Sequence, residues 1–367
     1  MMVNIALGIA YTVPLIFLLI VRRFDLFHTG KFYFIVVTVL WGAIAYLIAA
    51  RINPALIDAG WVSRDQVIRF VAPILEELLK ALILIYLVQR ADFNYVVDGA
   101  IYGFGAGIGF AMFENHEYVL GHINVAFAIA IARVFSTNLV HATGSGVIGT
   151  ALATRRADPT WKSWVLILLG YAFSMAFHIG FNNMVSAGVF LVFAIVFGFI
   201  GLGLIWYAIK RGLNLQKIMF VQSLTDINRT TKNEVKALTS IEKIDELLRP
   251  FESQFGRKKK ELVKDMLSKQ AELGIKTSLL DSASNENQKR DIEKIISDLQ
   301  SDIGLIRGQI GSYCMMFVRM VYMDPEVKVF DSLTARIAES STGQKGGGLW
   351  DRTSDKIKTA KSEEEQS

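Results

Sequence analysis

Ionisable side chains lie inside long apolar runs in the first half of the chain, where a charge costs several kcal/mol unless it is paired, hydrated or functional. Besides Asp98, those that could perform chemistry are Glu76, Glu77, Lys80, Glu114, His141 and His178, with Asn182 one turn after His178. Two carboxylates with one or two imidazoles can activate water: a buried Glu acts as general base, and His with an Asn amide stabilises an oxyanion. The same groups can bind a divalent metal that lowers the pKa of water. Both arrangements predict hydrolysis of a carbonyl compound.

Helical spacing groups these residues on shared faces. Lys80 follows Glu76 by four residues and Glu77 by three, so its ammonium can reach either carboxylate. Because a Glu at position i pairs best with a Lys at i+4, we expect Glu76 to pair with Lys80 and Glu77 to act as the base. His178 and Asn182 are also four residues apart and share a face.

Depth in the membrane gives an independent estimate of which residues meet. A helix rises about 1.5 Å per residue. Measured from the predicted outer end of its own span, Glu76 lies about 9 Å deep, Glu114 about 9 Å deep and His178 about 13 Å deep. His141 reaches this level only if the fifth span begins near Arg133, and lies near the inner side if that span begins at Val125. The sequence leaves both starts open.

The elements that must position these residues are predicted to be membrane-spanning helices. The chain has 52% hydrophobic and 20% charged residues over 367 positions and a mean hydropathy of +0.37, which argues against a wholly soluble protein. Apolar runs of about 17–25 residues can cross a membrane as helices. Seven are predicted, at 3–21, 32–50, 70–88, 96–120, one ending at 153, 164–187 and 189–207. The expected fold is therefore an all-α polytopic bundle of about seven spans.

Five glycines in the fourth span, at 99, 103, 105, 107 and 109, remove side chains along the helix and predict close helix contact. Their G-x-G-x-G spacing within an apolar run is not that of a nucleotide-binding loop.

Lys and Arg are distributed unevenly between alternate loops. One set of loops carries nine of them and the other set three, and the positive-inside rule then predicts an extracytoplasmic N-terminus and a cytoplasmic C-terminal tail. We expect three regions: a membrane domain at 1–209, a cytoplasmic helical or coiled-coil-like domain at 210–340, and a disordered segment at 341–367.

The predicted tail is amphipathic and carries charges of both signs. Apolar residues recur at three- and four-residue steps, as in the run from Ile292 to Ile306, so the tail is expected to self-associate or to bind a cytoplasmic partner. The mixed charges do not favour nucleic acid, and the single Cys314 excludes an internal disulfide framework. The tail contains none of the five His, and we expect it to control the chemistry without performing it.

Four motifs, in order on four consecutive predicted spans, resemble the PrsW family of intramembrane proteases. They are E-E-L-L-K at 76–80, D-G-A-I-Y-G at 98–103 with G-F-A-M-F-E-N at 109–115 and Tyr118, His141, and His178 with Asn182. That family is similar to the CAAX prenyl protease and bacteriocin-processing superfamily, which combines a Glu-Glu pair with H-x-x-x-N on a later span. The resemblance covers roughly residues 65–187.

The resemblance implies an endopeptidase in a prokaryotic plasma membrane that cleaves a membrane-anchored protein, such as an anti-sigma factor, near the outer surface. It places Glu76, Glu77, Glu114, His141, His178 and Asn182 in the family's polar core. If the enzyme depends on a metal such as zinc, the expected ligands are Glu77, Glu114, His141 and His178. A glutamate-type mechanism without a cofactor fits the same motifs. The long tail departs from the family pattern and leaves substrate and regulation open.

Two other function classes remain. A transporter or channel would distribute polar residues through the whole membrane depth, often with an internal repeat, whereas these spans have few charges in their predicted inner halves and no convincing repeat. A catalytically inactive scaffold that signals through its tail would tolerate loss of the polar cluster.

Overall fold

The computed structural model describes residues 1–23, 30–93, 96–157, 160–186, 195–207, 209–210, 212, 244–283 and 286–321. Every regular element in these ranges is helical, which confirms the all-α prediction. The first nine helices are α1 (Met2–Arg22), α2 (Phe32–Asp58), α3 (Arg64–Gln66), α4 (Ala72–Leu87), α5 (Val96–Gly121), α6 (Ala126–Val134), α7 (Thr137–Ala157), α8 (Trp161–Ser186) and α9 (Ile195–Tyr207). The tail helices are α10 (Ile244–Leu247), α11 (Arg249–Ser282), α12 (Glu286–Ile310) and α13 (Ser312–Val321).

Five stretches of the described chain are long and apolar enough to cross a membrane. They are Met2–Arg22, Phe32–Asp58, Val96–Gly121, Ile123–Arg156 and Trp161–Val185. The predicted third span is α4, which has 16 residues and carries three charged side chains. The predicted seventh span is described only over the shorter α9. The protein is an integral membrane protein, while the count of seven spans and the orientation of the termini remain predictions.

Helix α5 lies at the centre of the bundle, between α2 and α7, and is buried along most of its length. Gly99, Gly103 and Gly107 lie against backbone atoms of α7, and Gly105 and Gly109 lie against α2. A Cβ atom at any of these positions would overlap an atom of the neighbouring helix. The glycines therefore allow both contacts, as small residues do at membrane helix interfaces.

The apolar stretch at 123–156 is broken into two helices. Helix α6 ends at Val134, a turn follows at Phe135 and Ser136, and α7 begins at Thr137. His141 therefore lies on the first turns of α7. This resolves the open start of the fifth span in favour of a position near Arg133, which brings His141 to the same end of the bundle as the start of α4.

The described tail forms a helical packing unit. Helix α12 buries Ile292, Leu299, Ile303, Ile306 and Ile310, which is the apolar face expected from the helical period, and it packs mainly against α11. Residues 213–243 and the predicted disordered segment 341–367 lie outside the described residues.

Helix α11 contacts one end of the membrane bundle. The Lys276 Nζ donates a hydrogen bond to the Ala91 carbonyl, and Glu272 lies 3.9 Å from the Lys31 ammonium. From α12, Gln288 donates to the Gln89 carbonyl at 3.2 Å. We call this the tail end of the bundle.

Candidate active site

Helix α4 carries a buried ion pair. Lys80 Nζ lies 2.6 Å from Glu77 Oε1, and both side chains are fully buried. The expected pairing of Lys80 with Glu76 is therefore wrong. An i,i+4 pair on an isolated helix contributes only about 0.2–0.5 kcal/mol, so contacts from neighbouring helices decide which carboxylate Lys80 meets.

Both oxygens of Glu77 are engaged. His178 Nδ1 lies 3.1 Å from Oε1, which also accepts from Lys80, and Ser174 Oγ donates to Oε2 at 2.7 Å. Ser174 and His178 are one turn apart on α8, so this helix presents two donors to one carboxylate. The geometry does not favour Glu77 as the base, because three donors already engage its two oxygens.

Glu76 is the more available carboxylate of the pair. Its Oε2 lies 3.8 Å from His178 Nε2, beyond hydrogen-bond distance, and none of the described residues forms a hydrogen bond with its carboxylate. Because His178 directs Nδ1 to Glu77, its Nε2 faces Glu76. The side chain of Glu76 is 11% exposed, so only a small part of this residue can be reached from outside the cluster.

His141 connects this pair to Glu114. Lys80 Nζ lies 2.9 Å from His141 Nδ1, so the imidazole accepts there and donates from Nε2 to Glu114 Oε2 at 2.9 Å. The rings of His141 and His178 are nearly perpendicular with centroids 4.6 Å apart. The structure thus brings together, from four helices, all the charged residues that the sequence predicted for the site.

Arg133 is a member of this cluster that the sequence analysis did not include. It lies at the end of α6, places a guanidinium nitrogen 2.7 Å from Glu114 Oε2, and donates from Nε to Asn115 Oδ1 at 2.8 Å. Its guanidinium also lies over the Tyr118 ring, 3.7 Å from the centroid. The sequence did indicate a special role for Arg133, since it is the only Lys or Arg between 123 and 154. Ser174 had no comparable indication except its position one turn before His178.

Asn182 does not face the cluster. Its Nδ2 donates to the Ile68 carbonyl at 2.9 Å, in the segment that precedes α4. The expected contribution of this amide to an oxyanion site is therefore corrected: in this structure Asn182 binds backbone.

A candidate metal-binding group lies within the cluster. Glu76, His141 and His178 each offer one ligand atom, and these atoms lie within 4.8 Å of one another. One carboxylate and two imidazoles are the donors of many catalytic zinc sites, so the residues fit a divalent metal. The two histidines were predicted as ligands, together with Glu77 and Glu114. The group in the structure contains Glu76 in place of these two carboxylates, because Glu77 and Glu114 each contact a histidine ring nitrogen.

The family model described as PrsW family intramembrane metalloprotease matches residues 31–208, which contain α2 to α9 and every residue of the cluster. No curated protein and no solved structure matches the chain. The matched residues do not include α1 or the tail. Over residues 31–208, this membrane protein is similar to the PrsW family of intramembrane metalloproteases.

Proposed function

We propose that this protein is a metal-dependent intramembrane endopeptidase, with Glu76, His141 and His178 as the metal ligands. The observation that carries the proposal is the close group of one carboxylate and two imidazoles, buried between α4, α7 and α8. A bound divalent metal would supply Lewis acidity and lower the pKa of water. The remaining residues of the cluster act on the ligands.

Glu77 orients His178. Its Oε1 accepts from Nδ1, which leaves the Nε2 lone pair directed towards Glu76. Carboxylates that accept from the second nitrogen of a ligand histidine fix the tautomer and the ring orientation. Ser174 and Lys80 hold the Glu77 carboxylate in turn.

Glu114 has the corresponding role at His141. Glu114 accepts from Nε2, and Arg133 neutralises Glu114. The Nδ1 of His141 contacts the Lys80 ammonium. His141 could therefore bind a metal only if it lost its contact with Lys80 or its contact with Glu114.

The proposed substrate is a membrane-anchored protein such as an anti-sigma factor, cleaved near the outer surface of a prokaryotic plasma membrane. Two features support this. The cluster lies towards the end of the bundle opposite the tail, and Glu114 is its most exposed carboxylate, at 20%. The predicted orientation makes that end the outer one.

The test combines metal content and cleavage on purified protein in detergent or liposomes. Glu76→Gln should lower the bound zinc and reduce cleavage by about 10²–10⁴-fold, the typical loss when an essential acid–base or ligand group is removed. Glu117→Gln is the matched control, because Glu117 is exposed on α5 outside the cluster. A candidate substrate is found by comparing membrane proteomes of cells with wild-type protein and with Glu76→Gln.

Two outcomes would contradict parts of the proposal separately. Cleavage at the wild-type rate by Glu76→Gln would overturn the catalytic assignment. Full activity after complete removal of metal would retain the protease and overturn its metal dependence in favour of a glutamate-type hydrolase.

A further inference from the structure

The segment before α4 has an unusual hydrogen-bond pattern. Residues Val67–Val71 form a π-helical turn, and the Ala72 amide donates to the Val67 carbonyl, five residues earlier. In the same register the next bond would run from residue 73 to the Ile68 carbonyl. Residue 73 is a proline, which has no N–H. The Ile68 carbonyl therefore has no donor at this position of its own helix.

Asn182 of α8 supplies that donor. Its Nδ2 lies 2.9 Å from the Ile68 carbonyl. On the other side of Pro73, the Tyr171 hydroxyl donates to the Ile74 carbonyl at 3.0 Å. Helix α8 therefore binds the backbone on both sides of Pro73.

These two donors share one face of α8 with the groups that contact Glu77. Tyr171, Ser174, His178 and Asn182 lie at successive steps of three or four residues, which places them in one stripe. Ser174 and His178 bind the carboxylate of Glu77, while the residues at the two ends of the stripe bind main chain. The stripe thus fixes both the position of the α4 backbone and the direction of its side chains.

We infer that Asn182 is a positioning residue that replaces the N–H missing at Pro73, and that it acts on the π-helical turn and not on the reacting atoms. The turn matters because each residue added to or removed from a helix rotates the rest of that helix by about 100°. Loss of the turn would rotate α4 relative to α3 and direct Glu76 and Glu77 away from His178. The inference rests on the proposed function only for its effects on zinc binding and cleavage.

A double-mutant cycle between Pro73 and Asn182 tests this directly. Asn182→Leu keeps the approximate shape and removes the donor, while Pro73→Ala restores a backbone N–H that can reach the Ile68 carbonyl. We expect Asn182→Leu alone to lower the unfolding temperature and to weaken zinc binding and cleavage by up to about tenfold, as expected for the loss of one hydrogen bond to the backbone. In the Pro73→Ala background the same substitution should cost less than about threefold. Pro73→Ser supplies the same N–H if Pro73→Ala does not fold.

Asn183→Leu is the matched control. Asn183 lies next to Asn182 and donates to the Ile179 carbonyl of its own helix at 2.8 Å, so its removal should change none of the three measurements.

Two results would overturn the inference. In the first, Asn182→Leu reduces cleavage equally with and without Pro73→Ala, while the unfolding temperature and the zinc affinity stay unchanged. This pattern would mean that Asn182 contacts the reacting atoms. The other is an unfolding temperature that Asn182→Leu lowers equally in both backgrounds. Unfolding is measured without substrate, so the second result is obtained even if the proposed protease activity fails.

Discussion

Among single residues, the buried Lys80 contacts both a carboxylate and a candidate metal ligand. Its ammonium lies 2.6 Å from Glu77 Oε1 and 2.9 Å from His141 Nδ1, and it also faces the Phe110 ring at 5.0 Å. A fixed positive charge beside a candidate metal ligand opposes a second cation, since charges a few Å apart inside a protein repel strongly. Lys80 therefore stabilises the metal-free cluster.

Replacing this lysine should strengthen metal binding. Lys80→Met removes the repelling ammonium, frees His141 Nδ1 and leaves the charge of Glu77 to attract the cation, so we expect zinc affinity to rise about tenfold or more. Competition with a chromophoric chelator measures it, and Lys162→Met, an exposed site, is the control.

Breaking a buried ion pair can cost about 3–5 kcal/mol of stability. If Lys80→Met does not fold, Lys80→Met combined with Glu77→Gln removes both charges and should still bind zinc at least as tightly as Glu77→Gln alone. Unchanged or weaker affinity would show that Lys80 does not compete with metal.

At the scale of helices, the site depends on how closely α5 approaches α7. Glu114 is on α5 and His141 is on α7, and Gly107 lies against the backbone of His141 and Ala142. A side chain at this position pushes against main chain, which cannot move aside as a flexible side chain does.

Enlarging Gly107 should therefore separate the two helices. We expect Gly107→Val to lower the unfolding temperature by several degrees, since overpacking typically costs about 1–3 kcal/mol, and to weaken zinc binding because the contact between Glu114 and His141 lengthens. Gly8→Ala in α1 is the control, because a Cβ there would meet nothing within 4 Å. Equal unfolding temperatures for the two variants would contradict the close-packing argument.

At the scale of the whole molecule, the tail contacts the connection between the two helices that carry the carboxylates. Ala91 and Gln89 lie between α4 and α5, and accept hydrogen bonds from Lys276 and Gln288. Arg156, at the end of α7, donates to Val88 and Arg90 carbonyls in the same connection. Movement of the tail can thus reach both halves of the cluster through one short segment.

The docking of the tail should depend on pH. Burial, followed by the charge of Arg156, lowers the pKa of Lys276 from 10.5 to about 8, while Glu272, Asp92 and Asp98 partly oppose this shift. Because the pKa is lower in the docked state, the cost of burying the charged lysine is fully present below about pH 8 and is relieved as the pH rises to about 10.5. Hydrogen exchange of α11 should therefore slow relative to the Lys276→Met variant over this range.

Lys258→Met provides the control, since Lys258 is exposed on α11 and should retain the wild-type pH profile. Parallel profiles for wild type and Lys276→Met would show that this lysine does not set the docking strength.

Removing the tail should leave the chemistry intact. All residues of the cluster precede position 183, so a chain that ends after Gly212 should cleave at a basal rate and lose whatever control the tail exerts. Cleavage by the full-length and truncated proteins at equal membrane expression measures this. Complete loss of cleavage would mean that the contacts at Gln89 and Ala91 are required to hold α4 and α5.

Local patterns in the sequence are sufficient to predict the helices and the chemistry of the site. Run length and period define α1, α2, α5 and α8 because a helix that crosses a membrane must be long and apolar, and Glu76, Glu77, His141 and His178 stand out because charges are rare there. The buried face of α12 results from the same periodicity. These properties are local, so they can be predicted without knowing which helices meet.

The pairing of these groups depends on contacts between helices and could not be predicted from the sequence. Glu76 and Glu77 are almost equivalent to Lys80 along one helix, where the alternatives differ by a few tenths of a kcal/mol, and contacts from Ser174 and His178 settle the choice. The break after α6 fixes the level of His141, and the π-helical turn before Pro73 directs Asn182 to backbone. Each outcome depends on the rotation of one helix against another, which is set by packing between residues far apart in the chain.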